Sequence, residues 1–142
     1  MIGRWRTFKP EEVKALSPLV LAYVGDAVYE LAIRTALLSV RTPVERLHHR
    51  SVAWVSAQGQ EKVWQWLKER LDPEEADVAR RARNARAAVP RSATTAAYRR
   101  ATALEAVMGF LYLTGRDERI AELLGQALVD LAGVVGGEGE PS

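Results

Sequence analysis

The sequence contains no cysteine, which excludes disulfide staples, thiolate nucleophiles and zinc ribbons and fits a chain that does not depend on an oxidising compartment. It also lacks any charge-free apolar run of the length a membrane span needs. The opening Met1-Ile2-Gly3-Arg4-Trp5-Arg6 lacks the apolar stretch of a secretory signal, so the expectation is a cytoplasmic protein without a membrane partner. Gly-rich phosphate loops, a Ser/His/Asp order and Cys/His clusters are missing, and with them the common nucleotide-binding, hydrolase and metal-cluster signatures. Neither an alternating strand pattern nor an internal repeat is present.

What remains is a chain of 142 residues, 48% hydrophobic, long enough for one ordinary core and short for two. A single domain is expected over residues 1–132, followed by a Gly- and Glu-rich flexible tail over 133–142. The formal net charge of +2 arises from 20 Lys and Arg against 18 Asp and Glu, so the total says little about partners. Arg outnumbers Lys sixteen to four, which suits phosphate recognition, heat adaptation or a GC-rich genome alike.

Helix starts are legible because Ser17-Pro18, Thr42-Pro43 and Asp72-Pro73 each set a polar cap before a proline, whose fixed φ and missing N–H suit the first helical position. The spacing predicts helices over 18–39, 43–70, 73–86, 94–114 (ended by Gly115) and 117–132, an all-α fold. At 100° per residue the first of these carries Leu19, Val20, Tyr23, Val24, Ala27 and Leu31 on one side, with Leu21, Ala22, Ile33 and Leu37 filling much of the rest. A helix apolar nearly all round is expected at the centre of a fold. Its main polar stripe is Asp26, Glu30 and Arg34. On the helix over 94–114 the same projection lines up Tyr98, Thr102, Glu105, Gly109 and Tyr112.

Asp26 and Glu105 are thus expected in partly buried settings, where a lone carboxylate is costly unless compensated. A hard divalent cation such as Mg2+ would serve both, since it takes one or two carboxylates and a substrate phosphate. Ion pairing would serve as well, Asp26 with an arginine and Glu30 with Arg34 at i, i+4. The second signal is a block over 78–104 that contains Arg80, Arg81, Arg83, Arg86, Arg91, Arg99 and Arg100 and no acid. Such a block suits an anionic polymer through bidentate phosphate contacts, and it equally suits a solvated basic face. Asn84 would reach a ribose hydroxyl or phosphate, or cap a helix. His48 and His49 point about 100° apart on a helix and cannot chelate one ion together. Trp54, Trp64 and Trp66 fit packing better than base stacking.

The run Leu21-Ala22-Tyr23-Val24-Gly25-Asp26-Ala27-Val28-Tyr29-Glu30 resembles the signature helix of ribonuclease III, whose core is a Leu-Gly-Asp-Ala-Val run. Ala103-Leu104-Glu105-Ala106-Val107-Met108-Gly109-Phe110-Leu111-Tyr112-Leu113 resembles the same family's Phe-Glu-Ala-Leu-Ile-Gly segment. With Arg83-Asn84-Ala85-Arg86 and Tyr98-Arg99, the chain is similar over about residues 16–131 to the Mini-ribonuclease III branch, a catalytic domain without the usual double-stranded-RNA-binding domain.

The resemblance implies a single ribonuclease III-type helical endonuclease domain in which Asp26 and Glu105 are the catalytic acids and bind Mg2+, with Mn2+ as a substitute. Glu30 would supply a further or water-mediated ligand. Full-length ribonuclease III carries acids at the positions of Ala22 and Thr102, so a tightly held second metal is not implied. The implied chemistry is phosphodiester hydrolysis by metal-activated water, leaving 5′-phosphate and 3′-hydroxyl ends. Arg80, Arg81, Arg83, Asn84, Arg86, Arg91, Arg99 and Arg100 would hold double-stranded RNA. Large-subunit ribosomal RNA precursor is the implied substrate, and a twofold homodimer the implied assembly. Two rivals stand beside this reading: a catalytically silent RNA-binding scaffold on the same fold, and a helical module whose arginines bind an acidic protein.

Overall fold

Caps and prolines set the helix starts, and the computed structural model, which describes residues 6, 8–85 and 95–135, resolves eight helices among them and no strand. They are α1 (Pro10–Lys14), α2 (Pro18–Ala36), α3 (Val44–Val55), α4 (Ala57–Leu67), α5 (Pro73–Asn84), α6 (Thr95–Leu113), α7 (Asp117–Asp130) and α8 (Ala132–Val135). The all-α expectation holds. Ser17 Oγ accepts from Leu19 N at 3.1 Å ahead of Pro18, and Asp72 and Glu75 exchange backbone N–H bonds of 2.8 and 2.9 Å in a capping box ahead of Pro73. Gly115, at φ 76°, closes α6 as its sequence position predicts. No described helix is long and apolar enough to cross a membrane.

Three expectations change. The helix predicted over 43–70 is two helices, because Ser56 leaves the helical region at ψ 166° and its Oγ accepts from Gly59 N at 3.2 Å, ending α3 and capping α4. The corner is tight: a Cβ on Gly59 would lie 2.0 Å from the Ala53 carbonyl oxygen. Secondly, α2 is not enclosed. It buries Leu21, Ala22, Gly25, Val28, Tyr29 and Ile33, whereas Val20, Tyr23, Ala27 and Leu31 on its other side are exposed. The enclosed helix is α6, which packs against α2, α4, α5 and α7 and buries nine residues from Thr102 to Leu111. Thirdly, α1 is an addition, since five residues give too short a period to detect in sequence; it inserts Val13 into the core. At the other end α8 seats Val135, and residues 136–142 of the expected tail lie outside the described residues.

Two buried polar links fix the frame. Glu75, with its side chain 1% exposed, receives two bonds of 2.8 and 2.9 Å from Arg119, whose Nη2 also donates to the Arg70 carbonyl at 3.0 Å, tying α5 to α7. The Tyr29 hydroxyl donates to the Trp54 carbonyl at 2.7 Å and so anchors α2 to the end of α3. The three tryptophans expected to pack do so, with Trp66 Nε1 donating to Asp130 at 2.9 Å.

Candidate active site

Two glycines bring the acids together. A Cβ on Gly25 would stand 1.6 Å from the Glu105 carbonyl oxygen, and one on Gly109 would stand 2.0 Å from that of Leu21. The backbones of α2 and α6 therefore touch at their crossing, closer than any side chain permits. Asp26 follows Gly25 directly, and Glu105 lies one turn before Gly109, so both carboxylates emerge at the crossing and hydrogen-bond one another.

They line one end of a cleft of about 490 Å³ whose walls include Ala22, Tyr23, Gln60, Tyr98 and Thr102. Asp26 is exposed at the rim, contrary to the expectation of partial burial, because it sits on the margin of the face that α2 leaves uncovered. Glu105 is the sheltered member. Burial, then the like charge of Asp26, push its carboxyl up from 4.5 to about 7; a hydrogen bond donated by Gln60 opposes this, and the one shared with Asp26 adds to it. Beneath the pair, burial and the Glu105 charge push the Tyr29 phenol up as well.

The donors around this pair are oxygens, with no imidazole or thiolate in the cleft wall, which suits a hard divalent cation. A cation would also relieve the repulsion that raises Glu105. Among the described residues no cluster of three or more acids and histidines is arranged to hold a metal; Asp26 and Glu105 form a pair, and the third acid in the cleft wall, Glu61, is engaged by Arg100. Glu30 is not brought to the pair: its carboxylate binds Arg34 at 2.6 Å, and it does not line the cleft. Nor do His48 and His49, which lie exposed on α3. The cleft wall adds two residues that sequence reasoning misses, Gln60 and Glu61, both presented by the break at Ser56. The signal available is a Ser three residues before a Gly inside a helical period.

The arginine block divides into exposed and ion-paired members. Arg83 and Asn84 at the end of α5 and Arg99 on α6 are exposed, Arg83 lying 6.0 Å over the Trp64 ring. Arg80 binds Asp77 at 2.6 Å, and Arg100 binds the cleft residue Glu61 at 2.6 Å. Arg81 lines a smaller cleft against α1. Arg86 and Arg91 lie outside the described residues.

The profile of the ribonuclease III domain matches residues 19–116. A Mini-ribonuclease 3 from Thermoanaerobacter sp. (strain X514) is 43% identical over 116 residues, covering 80% of this chain and 82% of its own length. Another from Gloeobacter violaceus is 46% identical over 108 residues, 76% of this chain and 80% of that one. Among solved structures, a crystal structure of a Fusobacterium nucleatum protein superposes with a TM-score of 0.73 at 33% identity, covering 84% of this chain and 97% of that one. Matched over most of its length, with both acids inside the matched span, the chain belongs to the ribonuclease III family, in its Mini-ribonuclease 3 branch.

Proposed function

We propose that this protein is a magnesium-dependent endoribonuclease that cuts double-stranded RNA, working in the cytoplasm as a twofold homodimer on the precursor of large-subunit ribosomal RNA. The observation that carries the reading is the meeting of Asp26 and Glu105 at the α2–α6 crossing, at the positions where the family signatures carry their acids. Family membership and the relatives named Mini-ribonuclease 3 support ribonuclease chemistry. The precursor substrate follows from the family resemblance.

In this reading Asp26 and Glu105 hold Mg2+, which when bound supplies the Lewis acid that activates water and stabilises charge on the scissile phosphate. Glu105 must give up its proton to bind. Asp26, at the rim, presents its carboxylate to the incoming backbone, and Arg83, Asn84 and Arg99 hold neighbouring phosphates or ribose hydroxyls. The dimer is supported by the bare apolar face of α2, where Val20, Tyr23 and Leu31 are 43%, 80% and 46% exposed next to Asp26. A C2 pairing would give each antiparallel strand its own acid pair.

The test is cleavage of a structured RNA duplex by the purified protein with Mg2+ and with chelator, together with Asp26→Asn. Cleavage needs Mg2+, leaves 5′-phosphate ends on both strands, and falls by on the order of 10²–10³ or more in the variant, which keeps the fold and duplex binding. Near-normal turnover by Asp26→Asn, or by wild type in chelator, sinks the assignment. An active monomer that nicks strands independently removes the dimer and spares the acids.

A further inference from the structure

Gln60 is the cleft side chain that neither ion pairing nor the family signatures explain. It stands in the first turns of α4, is 8% exposed, and lines the cleft with Asp26 and Glu105. Its amide nitrogen donates to the Val55 carbonyl at 3.2 Å and to Glu105 Oε2 at 3.4 Å. Its amide oxygen is buried and has no hydrogen-bond partner among the described residues. Turning the amide over gives no relief, because the oxygen would then face the Val55 carbonyl, acceptor against acceptor at any pH. That carbonyl dictates the orientation, and the oxygen is left bare, a desolvation cost that a methionine or leucine filling the same space would not carry. A glutamine in this place is therefore explained by what its nitrogen does.

The neighbours give that nitrogen its task. Ala22 and Thr102, which line the same cleft where full-length relatives carry acids, cannot orient Glu105: one has no polar group, and the other's hydroxyl donates to the Tyr98 carbonyl at 2.8 Å. We propose that Gln60 is the positioning residue of the acid pair: pinned to Val55 at the α3–α4 break, it holds the Glu105 carboxylate towards Asp26 and thereby sets the affinity for the divalent cation. The inference rests on the magnesium reading above. It makes the corner at Ser56 part of the active site, since an unbroken helix over 43–70 would carry residue 60 elsewhere.

The test is calorimetric titration of the full chain with Mg2+ in the absence of RNA, repeated with Mn2+ by spin resonance, for wild type and Gln60→Met. Methionine matches the length of glutamine and donates nothing. The variant binds both ions on the order of tenfold more weakly, as loss of an orienting hydrogen bond to a ligand does elsewhere. Its kcat at fixed Mg2+ falls while KM for the duplex stays unchanged. A second measurement needs no variant: the side-chain amide resonances of Gln60 in wild type shift during Mg2+ titration, with the midpoint found by calorimetry. A folded Gln60→Met with wild-type ion affinity overturns the proposal, as do amide resonances unmoved at saturating Mg2+. Wild type that binds neither ion overturns the magnesium reading and this one together, a pattern distinct from the first two.

Discussion

Replacing Gly25 by alanine adds one methyl group and should disable both the fold and the site. That methyl would lie 1.6 Å from the Glu105 carbonyl oxygen, 2.6 Å from its carbon and 2.7 Å from Gly109 N, where ordinary contact begins near 3.4 Å. All three atoms are backbone, so no side chain can turn aside, and α2 must retreat from α6 by roughly 1.8 Å, the shortfall in the first of those distances. Overpacking of this kind costs about 1–3 kcal/mol, and the upper figure applies because parting the helices also loosens Leu21, Val28, Leu104 and Met108. In a chain of this size about 3 kcal/mol lowers the melting temperature by on the order of 10 °C. The acids move apart by a similar distance, and a misplacement of about 1 Å costs on the order of a hundredfold in rate. Gly125 is the control: it lies inside α7, where an added methyl would meet nothing within 4 Å, so Gly125→Ala should stabilise by about 0.5–1 kcal/mol. Thermal melting and Mg2+ titration of the two variants read both effects. Gly25→Ala with the melting temperature and ion affinity of wild type would refute the backbone contact and the reasoning built on it.

Glu105 titrates near 7 in the folded chain against 4.5 for a free carboxyl, so the fold holds an extra proton between those values. Metal-free stability should therefore fall as pH rises from 4.5 to about 7, a slope that Glu105→Gln removes in urea melts at several pH values. Mg2+ affinity should run the other way, weakening about tenfold per pH unit below 7 for one displaced proton, as calorimetry in buffers of different ionisation enthalpy reads directly. Arg119→Met strands the buried Glu75 carboxylate and should cost about 3–5 kcal/mol, towards the lower figure because Arg119 is 26% exposed; a loss under about 1 kcal/mol in urea unfolding contradicts it. Arg83→Ala and Arg99→Ala should each lower the slope of log affinity against log salt by somewhat under one unit. Arg80→Ala, whose guanidinium is engaged by Asp77, should change it less, and equal slopes for all of these would place the RNA path elsewhere.

The parts of this fold legible in the sequence are those encoded by local chemistry. Ser17-Pro18 and Asp72-Pro73 announce α2 and α5 because cap and proline act within one turn, and Gly115 announces the end of α6 because a left-handed residue is needed there. Thr42-Pro43 misleads by one position, since Pro43 is itself the cap and α3 begins at Val44. The break at Ser56 is only faintly marked: Ser56 caps α4 and Gly59 admits the close approach to the Ala53 carbonyl, but a Ser three residues before a Gly is too common inside helical periods to announce a corner. For the acids, the motifs supply the identity of Asp26 and Glu105, and Glu105 is partly buried as periodicity predicts, but periodicity misjudges the burial of Asp26. An apolar circumference on α2 reads as enclosure, whereas here half of it stays bare and leaves Asp26 at the surface. Gln60 is missed for the same reason as the corner that presents it.

The touching glycines also govern when the acid pair is assembled. Gly25 and Glu105 are 80 positions apart, so their contact closes one of the longest loops in the molecule and rewards the chain only after that entropy has been overcome. During synthesis α2 is complete, Asp26 included, long before α6 has been made. A truncated or partly folded chain lacking the docked α6 has one acid on an isolated helix and nothing to set against it. The acid pair thus appears only when α6 docks on α2, and a fragment that ends before α6 holds Asp26 alone.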